Sequence, residues 1–531
     1  MFERQDIDMA AAELDVKTQA PSGPDETEVS RQKNLRVVAK GAGISLFGGW
    51  MGQGTTFLFG LVIARTLGAA EYGLYTLGVM ILNTLMGVSL FGLDTACRRY
   101  VALARGVNEP GKVKGTIVTS LSISGATSTL VAVLLFFSSD FIASRIFGKP
   151  ELASILQVLS VTLPVLSLTR VMLSCTVAFR TAKYNVLVED VFKCWFKLAA
   201  ALVLLVLLGY RLGGLVVIFV VTAVLGCVLS AYYLNRVFPL MNRKIHASYQ
   251  PRSLLAFSLP IFGVGLVAIL QGQIDVYMLG LISTIENVGV YKVALSLAIM
   301  VPGPLMALNA IFSPMIADMH NRGDLRELEK LFHTITRWSL AVSLPICLVL
   351  VFYAGPFLGI FGQGFAAGAA SLGILTIGQL VNAATGPVGI MILMTGRPYV
   401  NLVNAITTLA ISALLSFLLI PHFGMVGAAI GNTVGLTGVN VVKLLQVRLF
   451  LKMQPWGKGL WKPIVAGIIA TGLALLTSGW LPPLNLWALL INLTIILSAY
   501  PAVLWLLGLD QEDRLMVGAV KRKLGAAVSG N

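Results

Sequence analysis

From about residue 40 onward the chain holds about fourteen stretches of roughly 20 apolar residues, separated by short polar turns. A segment of that length satisfies its own backbone hydrogen bonds in lipid only as a helix, since barrel strands are about half as long and alternate in polarity. The expected fold class is an all-α polytopic membrane protein with about 14 transmembrane helices. With 56% hydrophobic and 12% charged residues in 531, a soluble catalytic domain has no room. The expected spans include 42–65, 72–97, 186–208, 254–282 and 288–317, as the first, second, fifth, seventh and eighth.

The first thirty residues carry Glu3, Asp6, Asp8, Glu13, Asp15, Asp25, Glu26 and Glu28 against Arg4 and Lys17. Residues 1–40 are expected to be a disordered acidic cytoplasmic tail, not a signal peptide, because no long apolar run follows the N-terminus at once. With that tail inside, about 30 of the 39 Lys and Arg fall in cytoplasmic tails and loops. Arg65, Arg145, Lys149 and Arg211 are the cations expected to face outward. An even number of spans then puts both termini in the cytoplasm, and the formal net charge of +15 reads as membrane orientation, with no nucleic-acid partner. Leu325, Leu328, Leu331, Phe332 and Ile335 form an apolar stripe suited to the membrane surface. Residues 509–531 form an amphipathic basic cytoplasmic tail, with Lys521, Arg522 and Lys523 suited to anionic membrane lipid.

Comparing the chain with itself reveals a repeat. Thr181-Ala182-Lys183 recurs as Thr395-Gly396-Arg397, Leu212-Gly213 as Val426-Gly427, and Gly73-Leu74-Tyr75 as Gly289-Val290-Tyr291, all at nearly one shift. The expected domains are a six-helix N-terminal lobe at 41–236, a six-helix C-terminal lobe at 253–448, and two additional helices at 459–508. Two parallel halves around a central cavity suit alternating access.

Several chemistries are missing. No phosphate loop of the form GxxxxGK[ST] is present, His246, His320, His333 and His422 lack metal-ligand spacing, and no Gly-x-Ser-x-Gly elbow occurs. The chain is expected to be no enzyme, with no cofactor and no metal. Cys97, Cys175, Cys194, Cys227 and Cys347 read as core-packing thiols.

Charges inside apolar spans are expensive and mark candidate sites. Arg170, Lys193, Lys197, Lys292 and Lys443 are such charges. Lys193 and Lys197 share a helix face, with Asp190 a turn earlier, either as a local pairing near the surface or as a cationic wall for an anionic substrate. Asp94, Arg98 and Arg99 make a second cluster, expected to hold an Asp94–Arg98 pair. The candidate substrate cavity comprises Gln53, Arg98, Arg99, Arg170, Lys193, Lys197, Gln271, Gln379 and Asn382. Asp275 and Lys292, placed at similar depth on an antiparallel hairpin, are expected to meet as a coupling or gating pair. Gly48-Gly49 and Pro302-Gly303-Pro304 are expected flexible points of a lateral opening, and Pro260, Gly263 and Gly265 loosen the seventh span.

Ile63-Ala64-Arg65-Thr66-Leu67-Gly68, Glu71-Tyr72-Gly73-Leu74-Tyr75, Gly92-Leu93-Asp94 and Arg99-Tyr100 resemble the start of the bacterial polysaccharide flippases. Asp275, Val288-Gly289-Val290-Tyr291, Phe312-Ser313-Pro314, Gly323-Asp324, Phe361-Gly362, Thr395-Gly396-Arg397-Pro398 and Gly424-Met425-Val426-Gly427-Ala428-Ala429 continue the resemblance in order, within the multidrug, oligosaccharidyl-lipid and polysaccharide exporter superfamily. The resemblance implies translocation of an undecaprenyl-diphosphate-linked oligosaccharide, as a unit of exopolysaccharide, capsule or O-antigen, across the bacterial inner membrane. It implies an ion gradient as drive, H+ or Na+ as coupling cation, and polymerase or export machinery as partner. The two extra helices look like those of lipid-linked peptidoglycan precursor flippases, where they help hold the lipid tail. Two rivals stay open: a multidrug exporter of the same superfamily, and a membrane-embedded polysaccharide polymerase.

Overall fold

The computed structural model describes the backbone over 24–508 apart from residues 180, 241–243, 458 and 481–485, with side chains from residue 48 onward except 50, 474 and 478–489. The first half contains α1 (Pro24–Leu90), α2 (Leu93–Gly106), α3 (Pro110–Asp140), α4 (Leu152–Ser160), α5 (Leu163–Ala178), α6 (Ala182–Asn185), α7 (Lys193–Ala201) and α8 (Leu212–Val237). The second contains α9 (Pro251–Gln271), α10 (Ile274–Ile282), α11 (Ile285–Ala298), α12 (Gly303–Arg322), α13 (Leu325–Phe352), α14 (Ala354–Gly359), α15 (Ala369–Thr385), α16 (Val388–Met394), α17 (Pro398–Phe423) and α18 (Met425–Leu451). Two further helices follow, α19 (Trp461–Trp480) and α20 (Leu486–Leu506). No strand occurs among the described residues. The protein is an all-α polytopic membrane protein.

Helix occupies every expected span, but the spans are less regular than their hydropathy. Eight described helices are long and apolar enough to cross a membrane singly, or ten if two bent pairs each make one crossing. α1 carries the first two spans, joined at Gly68, whose φ of 78° and ψ of 178° break the helical path. The eighth span bends by 51° between α11 and α12, at the expected Pro302-Gly303-Pro304, and the fourth by 47° between α4 and α5. The fifth span is interrupted by π-helical segments at Val186–Phe192 and Leu202–Leu207. Three expectations need correction. Helix begins already at Pro24, so the tail expected to be disordered over 1–40 is helical from there, and residues 1–23, like the 509–531 tail, lie outside the described residues. The seventh span runs unbroken past Pro260, because its break falls at Gly272-Gln273. Gly48 is no hinge: helix continues through it, and a Cβ there would strike Val186.

How the apolar cores are distributed sets the shape. One large core draws on both halves, joining Ile63, Leu77, Leu159 and Phe219 to Tyr291, Leu295, Phe365 and Leu372. Nearer the basic loops each half has its own core, around Cys97, Val113, Val171 and Leu234 in the first and around Ile316, Phe332, Met391 and Val447 in the second. The halves therefore part toward the basic face. One side of the cleft is closed by α2 on α9, where Arg99 lies 4.3 Å over the Phe257 ring and the Tyr100 hydroxyl donates to the Ser253 carbonyl at 3.1 Å. On the other side α12 packs on α13 and α16, within its own half.

Candidate substrate cavity and a buried carboxylate

α1, α5, α7 and α8 enclose a cavity of about 210 Å³ in the first half, lined by Asn83, Arg170, Glu189, Lys193, Lys197, Phe219 and Thr222 among others. Three of the residues read from sequence thus meet in one place. Lys193 is the deepest, 8% exposed, and its ammonium donates to Glu189 Oε1 at 2.6 Å. Gly226 on α8 makes room for its stem, since a Cβ there would fall 2.5 Å from Lys193 Cε. Lys197 Nζ lies 5.2 Å from the centre of the Phe219 ring, a cation–π contact that holds an ammonium with little water around it. Arg170 stands at the mouth, its side chain half exposed and Nε 3.7 Å from Asp94 Oδ2. The lining carries three cations and one carboxylate, so an anion entering it gains attraction that partial exclusion of water strengthens.

Two pairings differ from expectation, for local reasons. The π-turn at Val186–Phe192 shifts the helical register, so Glu189 and not Asp190 faces Lys193, while Asp190 packs against Gly52 of α1. Asp94 pairs with Arg170 across helices, and Arg98, one turn along α2, points away and is exposed. Arg99 is taken up by Phe257. Gln53 is exposed on α1, and Gln271 and Gln379 are half-buried; none of the three lines this cavity. Asn382 accepts from Asn440 Nδ2 at 3.1 Å in an amide pair between α15 and α18.

Asp275 is fully buried at the start of α10. Its Oδ2 accepts from the Tyr291 hydroxyl at 2.5 Å and from Asn432 Nδ2 at 3.0 Å, and its Oδ1 from the Val276 amide at 2.9 Å. Lys292 makes no ion pair with this carboxylate. The expected contact is replaced because Tyr291, one position earlier on α11, places its hydroxyl on the carboxylate where Lys292 was expected. Asn432 escaped the sequence reading, since nothing local to α18 marks it. Among the described residues no three His, Cys, Asp or Glu side chains cluster to hold a metal ion.

The fold is found in solved transporters. An inward-facing multidrug resistance MATE family transporter of the MOP superfamily is 14% identical, with a TM-score of 0.63 over 77% of this chain and 98% of its own. The lipid II flippase MurJ, in an inward closed conformation, is 12% identical, with a TM-score of 0.69 over 88% of this chain and 98% of its own. A MOP superfamily transporter from Pyrococcus furiosus, described as having a binding pocket of reverse polarity, is 15% identical, with a TM-score of 0.55 over 78% of this chain and 95% of its own. No curated protein sequence matches. Residues 38–320, which cover α2 to α11, the cationic cavity and Asp275, match the family described as polysaccharide biosynthesis protein, and the chain belongs to that family.

Proposed function

We propose that this protein translocates an undecaprenyl-diphosphate-linked oligosaccharide, a unit of exopolysaccharide, capsule or O-antigen, from the inner to the outer leaflet of the bacterial inner membrane by alternating access. The observation that carries this reading is the cationic cavity formed by Arg170, Lys193 and Lys197. A glycan hydroxyl left without a partner in hydrocarbon costs roughly 2 kcal/mol or more, and a diphosphate far more, so the head group needs a polar route. Lys193 and Lys197 are the proposed partners of the diphosphate, and Arg170 at the mouth its point of entry. The lipid tail stays in the bilayer and leaves the cleft sideways between α1 and α12, with α19 and α20 guiding it. Both termini are proposed to be cytoplasmic, which makes the basic face the inner one. Asp275, with Lys292 nearby, is the proposed coupling site for H+ or Na+, and a polysaccharide polymerase or export machine would receive the product. A multidrug exporter for cationic drugs would want the opposite charge in the cavity.

Deleting the gene should make the undecaprenyl-linked oligosaccharide accumulate on the inner leaflet and abolish the surface polymer. A precursor that still reaches the periplasmic face at its normal rate, with no second flippase present, overturns the reading. In a background free of native cysteine, thiol labelling at Lys193→Cys and Lys197→Cys should be blocked by lipid-linked substrate. Unblocked labelling, with transport intact in Lys193→Met and Lys197→Met, would remove both lysines from the site.

A further inference from the structure

Nine residues long, α10 (Ile274–Ile282) is tied to both halves at once. Its first turn carries Asp275, gripped within its own half by Tyr291 of α11 and Asn432 of α18. Tyr277, half a turn further on, reaches the first half, where its hydroxyl donates to the Met80 carbonyl of α1 at 2.8 Å and meets the Thr84 hydroxyl at 2.7 Å. A phenol has one proton to give, so Thr84 is the donor in the second bond. At the other end of α10, the Gly280 and Ser283 carbonyls accept from the Lys149 ammonium at 2.5 and 3.1 Å. Lys149 also belongs to the first half, on the turn after α3, and its third bond goes to the Phe147 carbonyl beside it. Carbonyls at a helix C-terminus lack intrahelical partners and carry the negative end of the helix dipole, which makes them natural acceptors for an ammonium.

We propose that α10 is an interdomain latch, with Lys149 and Tyr277 as its positioning residues, and that it passes the state of Asp275 to the seal between the halves. Breaks at Gly272-Gln273 and at Ser283-Thr284 free α10 to turn as a unit. The acceptors in the seal are main-chain carbonyls and the donors the Lys149 and Tyr277 side chains, so a turn of α10 or a separation of the halves breaks these bonds. Asp275 is the input: a proton or cation taking Oδ2 meets two donors already aimed at that oxygen, and relieving the conflict moves the first turn of α10, which Tyr277 shares. This input role rests on the coupling function proposed above. The seal itself does not, and it holds whatever cargo is carried.

The test uses full-length protein lacking its five native cysteines, with Met80→Cys as reporter beneath the seal, in vesicles without lipid-linked substrate. A membrane-impermeant maleimide is applied from the face away from the basic loops. Labelling should be slow in the parent, severalfold faster in Lys149→Met and in Tyr277→Phe, and near the parent rate in Lys149→Arg, which keeps the donors. Asp275→Asn should speed labelling alone and add nothing to Tyr277→Phe. Rates unchanged in both Lys149→Met and Tyr277→Phe overturn the latch, and additive effects of Asp275→Asn overturn its role as input. If the reporter variant does not fold, spin labels at Ile146→Cys and Leu281→Cys, two exposed positions in opposite halves, read the same event. Their separation should lengthen in Lys149→Met, and an unchanged distribution overturns the proposal. Faster labelling in a protein that carries no lipid-linked glycan leaves the latch standing and rejects the cargo.

Discussion

A carboxylate enclosed in a membrane protein persists only where donors replace its lost water, and Asp275 has three of them. Tyr291→Phe removes the shortest of these bonds without changing the packing shape, so thermal unfolding in detergent should show a loss of roughly 1–3 kcal/mol. Adding Asp275→Asn to Tyr291→Phe should recover part of it, since the uncompensated charge is then gone. Another strict demand falls on Gly73 and Gly289, which pack backbone to backbone where the halves meet. A Cβ on either would lie 3.1 Å from the amide nitrogen of the other, and would overlap the Ile285 carbonyl oxygen from Gly73 or the Ala69 carbonyl oxygen from Gly289. Main chain cannot step aside as a side chain can. Overpacking costs about 1–3 kcal/mol, so Gly289→Ala should cut transport by roughly tenfold while opening the face away from the basic loops to maleimide thiol probes.

Among the elements, those with a strong local signal were readable from sequence and those made by cross-chain contact were not. The bend at Pro302-Gly303-Pro304 was legible because proline removes a donor and a hydrogen-bonded turn. The spacing of Gly73 and Gly289 was legible as a repeat, although not the fact that the two glycines touch each other. The π-turn before Lys193 carries no glycine or proline to announce it, so the sequence placed Asp190 a turn from Lys193 without marking Glu189 as its partner. Lys193, Lys197 and Arg170 stood out because charge is rare in apolar spans, whereas Asn432 and Tyr277 act through partners more than a hundred positions away. Elements within one half should move together. Cys97 on α2 and Cys175 on α5 have sulfurs 3.0 Å apart, both buried. Mild oxidation should join them as a disulfide, seen by mass spectrometry, and leave transport unchanged, because α2 and α5 share the core of one half.

At the scale of the whole molecule, the shared core at one end and the separate cores at the other make the halves a pair of levers. α2 and α9 close one side of the cleft, while α12 packs on α13 and α16 of its own half, which leaves the α1–α12 side as the lateral exit that the proposed lipid-linked cargo would use. The same shape ties the protein to the mechanics of its membrane. A body joined at one end and parted at the other fills more area in one leaflet than in its opposite, so each change of state transfers area between leaflets and does work against lateral pressure. Lysophospholipid added to the leaflet at the basic face should crowd the parted ends together, and the same lipid in the opposite leaflet should hold them apart, with spin-label distances across the cleft as the readout. The bilayer is then a load on the transport cycle, and its stress sets how fast the cycle turns.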